Sequence, residues 1–103
     1  MYFNVIVELS YDIKKDDIEI KMIEIIDRYE KLLEGFNAVK CPNDNPGGDD
    51  APNHLLAMIP EMREFIAEER YDKFYRWLGF MQGVLWKEYF YTLEELKSHN
   101  RKD

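Results

Sequence analysis

Only one cysteine, Cys41, occurs in the 103 residues, which excludes an intramolecular disulfide and a zinc site built from several thiolates. A chain without disulfides suits a reducing interior. No apolar run approaches the roughly 18 to 20 residues needed to cross a bilayer, and the opening Met-Tyr-Phe-Asn-Val-Ile-Val-Glu lacks the basic stretch of a secretory leader. A cytoplasmic location is expected, with no membrane partner. Bases are also in deficit: 14 Lys and Arg stand against 21 Asp and Glu, a formal charge of −7. The imbalance is concentrated early, with 12 acids and 6 bases in residues 1–50 and 9 and 8 in residues 51–103. Such a surface repels polyanions, so direct nucleic-acid binding through clustered Lys and Arg is not expected. Solubility, a basic protein partner or imitation of nucleic acid fits it better.

Catalytic signatures are missing as well. There is no Gly-x-Ser-x-Gly, no phosphate-cradling Gly-rich loop with Lys, and no cysteine nucleophile with a neighbouring base. His54 and His99 are the only histidines, and Glu95 precedes His99 by one helical turn. That pair could poise a proton, but an ion pair at a helix end is the commoner use of the pattern. The oxygen-rich run from Asn43 to Asp50 carries donors calcium takes, without the spacing or closing Glu of an EF-hand, and turn formation accounts for the same residues. Glu61, Glu64 and Glu68 invite comparison with helical nucleotide pyrophosphatases, whose carboxylates on facing helices hold magnesium. The next helix offers only Asp72 and Glu88 to face them, too few inward carboxylates for that chemistry. No metal and no cofactor is expected.

What the chain does have is apolar and aromatic: 46% hydrophobic residues and 15 aromatic side chains. This is enough for a single core, and the length suits one domain spanning 1–103. Phe3, Val5, Val7 and Leu9 alternate with Asn4, Glu8 and Ser10, a period of two that predicts a short β-strand in an arm over residues 1–15. The alternative is that this segment joins the first helix. From Asp16 the spacing changes to Ile18, Met22, Ile25, Tyr29, Leu32 and Phe36, widened by Ile26 and Leu33, which predicts an amphipathic helix over 16–36. Asp16 and Asp17 would cap it, and Gly35 would end it in the left-handed conformation. Residues 37–53 hold three of the four prolines and two of the five glycines and read as a loop. A helical C-terminal half, 54–101, follows. Leu55, Met58, Met62, Phe65 and Ile66 form one stripe, with Pro60 expected to kink or restart it. Phe74, Trp77, Leu78, Met81, Leu85 and Tyr89 form the next, over 71–90. Thr92-Leu-Glu-Glu95 has the capping-box pattern and opens a last short helix. The expected fold is mainly α: a small bundle of about four helices with a short N-terminal strand.

Two features point to a surface. Gly79 and Gly83 lie four apart in the most apolar helix, where each costs about 1 kcal/mol relative to Ala, so close helix packing, within the chain or with a partner, is expected to compensate. Trp77 and Trp86 are nine residues apart and cannot share one narrow stripe, which sends at least one to a second contact surface.

The segments Arg76-Trp-Leu-Gly-Phe-Met-Gln-Gly-Val-Leu-Trp86, Tyr91-Thr-Leu-Glu-Glu-Leu-Lys97 and Asn100-Arg101, with Ala51-Pro-Asn-His-Leu-Leu56 before them, resemble a group of small uncharacterised proteins of tailed bacteriophages. The resemblance covers roughly residues 50–101 and carries no catalytic motif. It implies an accessory protein made inside an infected bacterium, where occupying a host or defence protein, or sequestering a small molecule, is commoner than turnover. Fold and family alone do not fix function. The binding residues expected from the sequence are Trp77, Gln82, Trp86, His54 and Asp50, with Gly79 and Gly83 for close helix packing. Self-association is expected too, because an unpaired strand and a small-residue groove each favour a partner.

Overall fold

The computed structural model describes residues 2–41 and 47–101, with side chains of the first helix described from Asp17 onward. It contains four helices, α1 (Tyr2–Leu32), α2 (Asp50–Ala67), α3 (Tyr71–Lys87) and α4 (Leu93–Asn100), and no strand among the described residues. The helical bundle expected from the sequence is therefore the fold. The short strand over the first ten residues is corrected: the backbone there is the start of α1, a single helix of 31 residues. A lone strand would leave a row of N–H and C=O groups without ladder partners, whereas a helix pairs them locally. Asp16 and Asp17 consequently lie inside α1 rather than at its cap.

The stripes read from the sequence supply the core, apart from Ile18, expected on the α1 stripe but 45% exposed. Met22, Ile25, Ile26 and Tyr29 from α1, with Leu33 just after it, meet Leu55, Met58, Ile59, Met62, Phe65 and Ile66 from α2, while Phe74, Leu78, Met81 and Leu85 come from α3 and Leu96 from α4. The middle helix, α2, packs against both α1 and α3, and α4 closes on α3. Arg63 fastens α2 to α1 by hydrogen bonds of 2.8 Å to Asp27 and 2.9 Å to Glu30. Burial alone would lower the guanidinium pKa, and these two carboxylates outweigh it and raise it. Pro60 neither ends nor restarts α2, which runs unbroken through it.

Helix ends depart most from expectation. Gly35 does not adopt positive φ; the left-handed residues that follow helices are Glu69 at φ 61° and Tyr89 at φ 66°. Each follows a helix end with a Schellman pair of bonds: Arg70 N–H to Phe65 O with Glu69 N–H to Ile66 O, and Phe90 N–H to Leu85 O with Tyr89 N–H to Trp86 O. The second turn ends α3 at Lys87 and throws Tyr89, expected on the core stripe, out to 91% exposure. A left-handed conformation costs an L-residue about 1–2 kcal/mol. Tyr89→Gly should therefore raise stability by about 1 kcal/mol, read as a higher denaturant midpoint at unchanged slope. The capping box of α4 forms as the sequence requires, with Glu95 N–H donating to Thr92 Oγ1 and Thr92 N–H donating to Glu95 Oε1.

Candidate functional site

Because α2 makes the main contacts to its two neighbours, α1 and α3 are left with an open groove between them. Its volume is about 620 Å³, and the end of α4 forms its third side. Met22, Ile25, Phe74 and Leu78 are the apolar floor, Ile18 and Tyr75 the walls, and Asp17, Lys21, Gln82 and Arg101 belong to the polar rim. Burial pushes the Tyr75 phenol pKa up, as expected for a hydroxyl whose ionised form is poorly solvated. Lys21 reaches across from α1 to the Arg101 carbonyl at 3.2 Å and ties the chain beyond α4 to the groove edge.

A hydrogen-bonded chain runs from the buried core to this rim. Gln82 Nε2 donates to the Tyr29 hydroxyl at 3.0 Å, and the hydroxyl lies 2.8 Å from His99 Nδ1. The Tyr29 oxygen accepts from Gln82 and can either donate its proton to His99 Nδ1 or accept from it, according to the imidazole tautomer. Gln82 and Asn100 close the chain with reciprocal amide bonds of 2.8 and 3.1 Å. Tyr91 packs edge-on to His99, with ring centroids 4.6 Å apart. Burial drives the Tyr29 pKa up to about 12 despite the Gln82 bond. The His99 pKa is lowered, first by burial and then by the Arg28 charge, with Glu95 opposing both.

This network makes a pH prediction. A histidine whose folded-state pKa lies below its ordinary 6.5 takes its proton first in the unfolded chain, so its contribution to stability is complete above pH 6.5 and declines as the pH falls through the depressed folded value. Urea midpoints measured between pH 8 and 5 should show that decline, and His99→Gln should flatten it. An equal slope in both proteins would mean that protonation of His99 is not coupled to the fold.

The residues singled out in the sequence are dispersed. Gln82 and Gly79 reach the groove. Trp77 is half-buried and packs edge-on to Phe65 at 4.9 Å. Trp86 is 50% exposed and shares a second hollow with Tyr89, Phe90 and Leu93 at the corner between α3 and α4. Asp50 and His54 serve the loop: Gly47 N–H donates to Asp50 Oδ2 at 3.1 Å, and Cys41 N–H donates to His54 Nδ1 at 3.0 Å. The oxygen-rich run from Asn43 lies partly outside the described residues. Gly79 and Gly83 are not close-packed within the chain, because a Cβ built at either meets nothing within 4 Å. This corrects the expectation of intramolecular packing: α3 turns other residues toward its neighbours.

Glu95 is engaged by the α4 cap, which holds its carboxyl below the usual range through the Thr92 bonds. Glu61 pairs with Lys40 and Glu68 with Arg70, and among the described residues no group of three His, Cys, Asp or Glu is gathered as a metal site. No helix among them is long and apolar enough to cross a membrane. Tyr29 and Asn100 are the site residues that sequence reasoning missed, and His99 was read there with Glu95 as its partner. The one available signal was a tyrosine inside an otherwise nonpolar stripe, whose hydroxyl must find a partner when buried. No family model, curated protein or solved structure matches the chain.

Proposed function

We propose that this protein acts by occupancy rather than turnover: a noncatalytic phage accessory protein that binds a host or defence protein and modulates it. One observation carries the reading, the groove between α1 and α3, whose apolar floor is open beside a glycine and edged by polar groups. Grooves of this type take the apolar face of a partner helix. Gly79 leaves the α3 wall flat, so a second backbone has room to approach; that is the use its helix-propensity cost suggests. The acidic and aromatic character of the surface belongs to the same reading, and such contacts weaken with salt.

The test fills the groove without touching the core. A Cβ at Gly79 meets nothing within 4 Å, so Gly79→Trp should leave the melting temperature close to that of the parent. Affinity capture from infected bacteria should recover a protein with the parent chain and lose it, at least tenfold, with Gly79→Trp. Equal recovery by the two would overturn the assignment of the groove. The volume also lies in the range of small-ligand pockets, about 300–1,000 Å³, which keeps sequestration of a nucleotide signal as the second reading. A rise in melting temperature with a cyclic nucleotide, absent in Gly79→Trp, would favour that reading over a protein partner.

A further inference from the structure

The face of α1 turned away from the core carries a second apolar stripe. Ile20 and Ile23 are 51% and 42% exposed although each is a large aliphatic residue on the helix that supplies Met22, Ile25 and Ile26 to the core. Single exposed isoleucines carry no meaning, but these two fall in a register. Counting back along the helical backbone of α1, the series Tyr2, Ile6, Leu9, Ile13, Asp16, Ile20, Ile23 steps by 4, 3, 4, 3, 4 and 3. This is a heptad seam with isoleucine at three successive a positions, Leu9 and Ile23 at d, and one polar d position, Asp16. Isoleucine at a with leucine at d is the pattern of a two-stranded coiled coil, which the three a positions match and Leu9 matches at d.

Length leaves room for it. At 1.5 Å per residue α1 is about 46 Å long and α2 about 27 Å, and among the described side chains of α1 those buried in the core run from Met22 to Tyr29. Among the described side chains, Ile20 and Ile23 are exposed where Met22, Ile25 and Ile26 are buried.

The flanks identify the occupant. Between residues 12 and 24 the e and g positions beside the seam are Asp12, Asp17, Glu19 and Glu24, all acids, while the bases of this stretch, Lys14, Lys15 and Lys21, fall at b and c. The hydroxyl of Tyr71 on α3 bonds Glu19 and holds it on that flank. Two copies paired along the seam would oppose acid to acid: Asp12 to Asp17 and Glu19 to Glu24 in parallel, and like positions again in antiparallel. Flanking charge sets partner choice in coiled coils, and such juxtaposition works against self-pairing. We infer that the outward face of α1 is a docking seam for an amphipathic helix of a partner protein whose apolar stripe is flanked by Lys and Arg. The face is separate from the groove and does not depend on the groove's function.

The probe is a synthetic 28-residue peptide with Ile at a, Leu at d and Lys at e and g. Its two controls are the same peptide with Glu at e and g, and a scramble of equal composition whose stripe is broken. Fluorescence anisotropy with the full chain should show the Lys-flanked peptide binding at least tenfold tighter than either control, and several-fold weaker as salt rises from 50 to 300 mM. Ile20→Asp/Ile23→Asp, at exposed positions, should lose that binding at least tenfold with helicity and melting temperature retained. Asp12→Lys/Glu24→Lys should reverse the preference toward the Glu-flanked peptide, while Glu88→Lys/Glu94→Lys, with the same change of net charge on exposed residues outside α1, should not. Gly79→Trp should bind the peptide as the parent does. Equal binding of the scramble, or undiminished binding by Ile20→Asp/Ile23→Asp, would overturn the inference. A parent dimer in sedimentation that Ile20→Asp/Ile23→Asp dissolves would overturn it in favour of a second copy of the chain.

Discussion

Phe74→Ala is expected to remove about 3–5 kcal/mol of stability, the cost of deleting a fully buried aromatic side chain that its surroundings cannot collapse around. Phe74 has no exposed surface, lies in the first turn of α3 and forms the groove floor with Met22 and Leu78. Its ring also meets Tyr75 edge-on at 5.5 Å. Domains of this size hold only about 5–15 kcal/mol in total, so the variant should be largely unfolded at physiological temperature. Urea denaturation measures the loss directly. A change below about 1 kcal/mol, the range of volume-conserving swaps, would mean that the floor of the groove is not a packed core. Phe74→Leu separates the two roles of the residue, because it keeps most of the buried area while reshaping the floor.

Much of this arrangement was legible in the residues because burial imposes a period. The inward stripe of α1, the α2 stripe from Leu55 to Ile66 and the α3 stripe from Phe74 to Leu85 each place their apolar side chains in the core. The α4 capping box was legible because it is a chemical exchange between two named side chains and two amides. The start of the chain was not, since six apolar residues among positions 2 to 9 satisfy a period of two and a period of 3.6 together. There the absence of a partner strand is what matters. Helix ends were misjudged because Gly35 has the permissive backbone, whereas Glu69 and Tyr89 do the left-handed turning. Tertiary fit decided it against local preference.

The groove was less legible than the bundle. Gln82 was singled out for its place beside the glycines, yet what it does depends on Tyr29, which is 53 residues away. His99 reads from the sequence as the ion partner of Glu95. In the fold Glu95 turns to its cap and His99 turns to a phenol, a pairing that only the crossing of α1 and α4 creates. Asp50 and His54 look exposed and functional in a loop of Asn, Asp, Gly and Pro, but both spend an acceptor on that loop's own amides. Residues near a helix start are often pins of this kind, because their side-chain acceptors can take amides of the incoming chain that have no other partner.

Pro60→Ala is expected to stabilise the protein by about 1–3 kcal/mol. Proline inside a helix costs about 3 kcal/mol relative to alanine, and Pro60 sits in an unbroken α2 with its ring exposed. It has no N–H to donate to the carbonyl four residues earlier, that of Leu56, and its ring crowds the same carbonyl. Part of the gain is offset, because proline also restricts the unfolded chain by about 0.4–1 kcal/mol. For a domain of this size each kcal/mol moves the melting temperature by about 4–8 °C, so the variant should melt clearly higher. A lower melting temperature would carry its own lesson. Proline bends a helix, and α2 alone must fit α1 on one side and α3 on the other through Leu55, Met58, Ile59 and Met62. If straightening it costs more than the restored hydrogen bond contributes, the bend at Pro60 holds those side chains against both neighbours, and the width of the groove between α1 and α3 is set from beneath by this one residue.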